Sequence, residues 1–171
     1  MRLLVVVDMQ NDFIDGSLGF EGAGDIIPGI LSRIEEYKAS GDEVVYTLDT
    51  HGEDYLDTQE GKNLPVVHCI EGTDGHKLAA SLVDALSGCK SFLKPTFGSR
   101  ELGEFIASGN YESVELCGLV SNICVISNAM LAKAFAPEAK IIVDSSLTAS
   151  AFPDLHKAAM DVMKGVQIEV I

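Results

Sequence analysis

The chain has 171 residues, 47% of them hydrophobic and 22% charged, which suits one domain with a sizeable core and excludes a disordered or low-complexity chain. The formal net charge of −14 excludes the basic face that nucleic-acid binding needs and disfavours an anionic membrane surface. The aliphatic runs are too short to span a bilayer.

The opening MRLLVVVDM has one basic residue ahead of its apolar run. Asp8, Asp12 and Asp15 follow at once with no small-residue cleavage site, so the segment reads as a first strand and the protein as cytoplasmic. LLVVVD (3–8) is continuously apolar, as expected of a strand covered on both faces. Residues 25–40 have helical spacing and stop at Gly41. EVVYTLD (43–49) is a second strand, and a long polar stretch follows to Gly75. The pattern then predicts a helix near 76–87, a strand at 91–95, a helix near 99–108 and a strand at 112–118. A helix near 122–135, a strand at 140–145, a helix near 154–164 and a last strand near 166–170 complete the series. This alternation implies a single α/β domain over 1–171, a three-layer αβα arrangement around a mostly parallel six-stranded sheet.

Such folds place their sites at the carboxyl ends of the strands. Asp8, Asp49, Lys94 and the segment Gly118 to Cys124 stand at four such ends. The loop from Thr50 to Gly75 is too long for a plain connection and carries His51, Glu60 and His68. The glycine-rich GFEGAGD (19–25) lacks nucleotide-loop spacing and reads as a loop covering the pocket. Four cysteines form no CxxC pair, and without an export signal they read as reduced thiols.

Cys124 lies where a strand turns into a helix. The unpaired N–H groups and dipole of a first helical turn lower a thiol's pKa and can hold an oxyanion. A small buried cysteine packed under a helix fits the same segment. Lys94, ending an apolar strand, favours a thiolate if it faces the sulfur and is otherwise a surface lysine. Asp8 follows five apolar residues, so it is either a partly buried proton carrier or a cap on the turn at Met9–Asn11. Asp49-x-His51 with His68 offers a carboxylate and two imidazoles, a set suited to zinc, iron or manganese, or else three unrelated loop residues. His76 and His156 read as ordinary helix residues.

DMQNDF (8–13), KPTFGS (94–99) and GLVSNICV (118–125) stand in this order along the chain. Together they resemble the three motifs of the isochorismatase-like cysteine hydrolases. The resemblance implies a triad of Asp8, Lys94 and Cys124, and a cis peptide between Val120 and Ser121 that aims N–H groups into an oxyanion hole. Within that family the chain resembles the nicotinamidases, which carry Asp-x-His after the second strand and a later histidine, as in HCIEGTDG (68–75). That likeness implies one divalent metal, zinc foremost, held by Asp49, His51 and His68, with Glu60 as the fourth ligand and Glu53 and Asp54 as alternatives. It implies a small amide substrate, nicotinamide, touched by Phe13, Leu18, Phe97, Val120 and Ser121. Other amides, carbamoyl groups and the vinyl ether of isochorismate belong to the same family's chemistry. One departure stands out: LPVV (64–67) has no aromatic residue where nicotinamidases commonly place one before the second histidine. Family members often form homo-oligomers, but no segment reads as an interface.

Overall fold

The computed structural model describes residues 1–171. Six strands form one sheet: β1 (Arg2–Val7), β2 (Glu43–Asp49), β3 (Lys90–Lys94), β4 (Ser113–Leu119), β5 (Lys140–Ala149) and β6 (Glu169–Val170). Their spatial order is β3-β2-β1-β4-β5-β6, and every pairing is parallel. The sheet is therefore parallel throughout rather than mostly so. Central strands in such a sheet are covered on both sides, which explains why Leu3 to Val7 are all fully buried.

Alternation along β1 feeds two cores. Leu3, Val5 and Val7 face Leu102 and Ile106 of α5 (Arg100–Ser108), Ala129 and Ala132 of α6 (Ile126–Phe135), and Met160 and Met163 of α7 (Pro153–Gly165). Leu4 and Val6 face Ile30, Ile34 and Tyr37 of α2 (Ile27–Ala39), and Phe13 of the short α1 (Asn11–Ile14). The three layers follow from this period of two. No helix is long and apolar enough to cross a membrane.

The chain runs from β1 outward through β2 to β3, then returns to the other side of β1 as β4. The carboxyl ends of β1 and β4 thus flank the topological switch, where open α/β sheets form a crevice. Val7 pairs with Gly118 in the register. Gly118 has φ +108, and a Cβ there would meet the Val7 carbonyl oxygen at 2.1 Å. Only glycine allows the two strands to leave the sheet this closely.

Several elements differ from the sequence expectation, for identifiable reasons. The helix expected near 76–87 is reduced to α4 (Ala80–Val83). Residues just before it are drawn into a bridge between Leu78 and Gln10, and Lys77 O and Met9 O accept hydrogen bonds across it. Strand β5 runs to Ala149 rather than 145, because pairing with β4 resumes at Gly118↔Thr148 after a bulge. The last strand shrinks to two residues, since the Ile168 N–H still caps α7 at the Met163 carbonyl. The long loop after β2 holds a 3₁₀ turn (Tyr55–Asp57) and a short helix, α3 (Gln59–Asn63), whose N-cap Thr58 accepts from Gly61 N–H.

Candidate active site

Lys94 ends β3 with its side chain fully buried. Its Nζ lies 2.7 Å from Asp8 Oδ2, 3.0 Å from Asp49 Oδ1, 3.1 Å from the Thr96 carbonyl and 3.5 Å from Cys124 Sγ. Three strand ends, β1, β2 and β3, and the turn after β4 therefore meet at one ammonium group. A buried lysine with two carboxylates stays charged: burial pushes its pKa down, but Asp8 and Asp49 push it further up.

Asp8 is fully buried with φ 47. Thr47 Oγ1 donates to its Oδ1 at 2.6 Å. Its Oδ2 lies 2.7 Å from the Lys94 ammonium, and a carboxylate oxygen so paired keeps a second lone pair for a proton. Burial pushes the Asp8 pKa up against the opposing pull of Lys94, and the Asp49 charge adds to the rise. Cys124 is 3% exposed. Burial, then Asp8, hold its thiol well above the ordinary value, and Lys94 only partly offsets them. The sequence expectation of a lowered thiol pKa is thus corrected: desolvation of the sulfur outweighs the nearby positive charge.

The turn that carries Cys124 also differs from expectation. Ser121–Val125 form one π turn, and α6 starts only at Ile126. The cis peptide lies between Leu119 and Val120, not between Val120 and Ser121. β4 stays paired through Leu119, opposite Ala149, so the first peptide beyond the pairing is the Leu119–Val120 bond. Ser121 is fully buried, and its Oγ lies 3.0 Å from Nδ1 of His156 on α7. His156 is therefore a support of this turn, a contact that its polar helical surroundings in sequence did not reveal.

Asp49, His51, Glu60 and His68 form a second cluster, their ligand atoms all within 4.8 Å of one another. His51 Nε2 is 2.9 Å and His68 Nε2 3.3 Å from Asp49 Oδ2, while Glu60 Oε1 is 3.7 Å and 3.9 Å from the same two nitrogens. Ligands about 2.1 Å from a tetrahedral ion would be about 3.4 Å apart, so the set fits a divalent metal. Glu60 takes the fourth place and not Glu53 or Asp54, because the first turn of α3 points it at the imidazoles. His68 Nδ1 is 2.7 Å from the Val66 carbonyl, which leaves Nε2 for the ion. Asp49 gives Oδ1 to Lys94 and Oδ2 to the histidines, and so joins the two clusters. Burial pushes its pKa up, but hydrogen bonds with His51 and His68 and the Lys94 charge reverse this and hold it low.

Three supports went unnoticed in the sequence. Buried Gln10 brackets Asp49, donating to its carbonyl at 2.9 Å and accepting from its N–H at 2.8 Å. Tyr55 packs its ring 4.7 Å from His51 and 4.9 Å from His68, centroid to centroid. Asp12 Oδ2 accepts from the Cys69 N–H at 2.7 Å and so anchors the residue after His68. A small cavity of about 40 Å³ opens between the clusters. Cys124, Asp49, Glu60 and His68 line it, with Phe13, Leu18, Leu64, Phe97, Val120 and Ile123. All the expected substrate contacts except Ser121 are on this wall.

An isochorismatase domain matches residues 2–171. The chain belongs to the isochorismatase family. A family relative, the nicotinamidase/pyrazinamidase of Mycobacterium tuberculosis, is 26% identical over 186 residues, covering 100% of this chain and 98% of its own. A probable inactive nicotinamidase of Arabidopsis thaliana is 25% identical over 177 residues, covering 97% and 89%. The pyrazinamidase of Pyrococcus horikoshii in complex with zinc superposes with a TM-score of 0.87 at 24% identity, covering 99% of this chain and 98% of that one. The isochorismatase fold thus extends over the whole length described above.

Proposed function

We propose that the protein is a nicotinamidase: it hydrolyses nicotinamide to nicotinate and ammonia through a thioester on Cys124. One observation carries this reading: the thiol, its carboxylate and the four-ligand cluster open on or stand behind a single cavity, joined through Lys94 and Asp49.

Cys124 rests as a thiol. As its sulfur attacks the amide carbon, Asp8 Oδ2 accepts the proton, and Lys94 balances the carboxylate charge until then. Peptide N–H groups of the turn around Ser121 and Cys124 hold the oxyanion. Asp8 returns the proton to the leaving nitrogen, and ammonia departs. Asp8 then deprotonates a water that attacks the thioester, which releases nicotinate and restores the thiol. Phe13, Leu18 and Phe97 flank the ring. Asp49, His51, Glu60 and His68 would hold the metal, for which zinc is our assignment; when bound, it would supply a Lewis-acid contact for the ring nitrogen.

A second reading within the family, hydrolysis of another amide, a carbamoyl group or a vinyl ether, is favoured by the aliphatic Leu64 on the cavity wall. A non-catalytic role, which the name of the probable inactive nicotinamidase of Arabidopsis thaliana raises, is opposed by the convergence of Asp8, Lys94 and Cys124. Ammonia release from nicotinamide by the metal-loaded protein, with Cys124→Ala as control, tests the reading. Release by the parent alone is the expected result; retained activity in the variant overturns the nucleophile assignment.

A further inference from the structure

The cavity at Cys124 holds no more than a few waters, so a substrate must reach beyond it. Two larger spaces border it. One, of about 390 Å³, is polar and lies past His51 and Glu60. The other, of about 320 Å³, is an apolar annex on the side away from the metal ligands. It shares Phe13, Leu18, Leu64, Val120 and Ile123 with the catalytic cavity and adds Phe20, Ala151, Phe152 and Leu155. Its volume falls within the range of small-molecule pockets.

Its lining says what it would hold, being apolar apart from Asn122 and Ser150. Phe13 and Leu18, which the reading above sets beside the ring, belong to both walls. The annex therefore faces the acyl side of the substrate. We propose that it is a specificity subsite for an apolar substituent on the acyl group, so that the preferred substrate is a substituted heteroaromatic amide larger than nicotinamide. This rests on the amidohydrolase reading above.

The lack of an aromatic residue at 64–67 fits this role. Leu64 forms part of both walls and leaves the passage between them lined by aliphatic groups. Phe152 and Leu155, 63% and 48% exposed, would be covered by the substituent.

The test compares kcat/KM for nicotinamide with that for pyridine-3-carboxamides bearing a propyl, phenyl or hydroxymethyl group on the ring, using the metal-loaded protein. We expect at least a tenfold gain for the best apolar derivative and none for the hydroxymethyl one. In Ala151→Trp, which fills the annex, the apolar-to-parent ratio falls to about one; Leu155→Glu lowers it as well. Nicotinamide turned over as fast as every derivative, or a preference for the hydroxymethyl compound, overturns the subsite and leaves the amidase reading intact. No ammonia from any amide overturns both. A change in sedimentation of Ala151→Trp without a change in ratio overturns the proposal and gives the annex to a second copy of the chain.

Discussion

The protein buries charge in two places, and only one of them has the makings of a reaction centre. Around Lys94, two carboxylates and a thiol converge beneath a cavity. Around Arg33 on α2, the guanidinium pairs with Glu115 of β4 and, at 3.0 Å, with Asp144 in the bulge of β5. Tyr37 donates to Glu115 Oε2 at 2.7 Å, and Asp144 Oδ1 accepts from Ser146 N–H and Oγ. In the Arg33 group each buried carboxylate has hydrogen-bond donors, and no cavity reaches it. In the Lys94 group, the lysine that pairs with Asp8 also faces the Cys124 sulfur, which lines a cavity. The contrast teaches that buried ionisable groups mark a site only where they meet a nucleophile and open space.

The comparison can be broken most severely at the sulfur. Cys124→Ala should lower turnover about 10⁴-fold or more while metal content, read by atomic absorption, stays unchanged. A variant that loses its metal as well would tie the two clusters by more than Asp49. Asp8→Asn keeps the size of the side chain but cannot accept the thiol proton. Its kcat should fall about 10³-fold, and a smaller loss of tenfold would move the base elsewhere. Arg33→Ala tests the structural group. It leaves Glu115 buried without its cation and should cost about 3 kcal/mol in urea melts, with kcat per folded molecule the same. Gln10→Ala loosens Asp49 and should weaken metal binding about 10- to 100-fold by chelator competition.

The smallest expected effect is on pH dependence. Burial pushes the Glu115 pKa above its ordinary value, with Tyr37 and Arg33 opposing. The native state therefore keeps this proton longer than the unfolded chain does. Stability from this group is present below the unfolded pKa, about 4.3, and is lost as pH rises through the raised native value. Glu115→Gln should flatten that part of the stability curve. An unchanged curve would show that Arg33 holds Glu115 ionised throughout.

Much of this was legible in the sequence because it is local. β2 was read at its observed bounds, since apolar β-branched residues and a following polar run mark both ends. Asp8, Lys94 and Cys124 were legible as strand-end residues within three motifs, and Asp49, His51 and His68 through their spacing. Gln10, Asp12 and His156 were not legible as supports, because each depends on a distant partner. Gln10 meets Asp49 across 39 residues and His156 meets Ser121 across 35. The burial that raises the Cys124 thiol is equally a property of the assembled core, whereas the lowering dipole was inferred from the turn alone. The annex was hidden because Phe20, Leu64, Ile123 and Leu155 come from four separate segments.

Gly118 sets a limit on how this protein can evolve. Its contact with the Val7 carbonyl fixes the spacing of the two strand ends that lead to Asp8 and to Cys124. A side chain there would part the base from the nucleophile before it altered any substrate contact. Drift in specificity is thereby channelled away from the sheet and toward the segments around Leu18 and Phe152, which line the cavity or its annex and carry neither the triad nor the metal-ligand cluster.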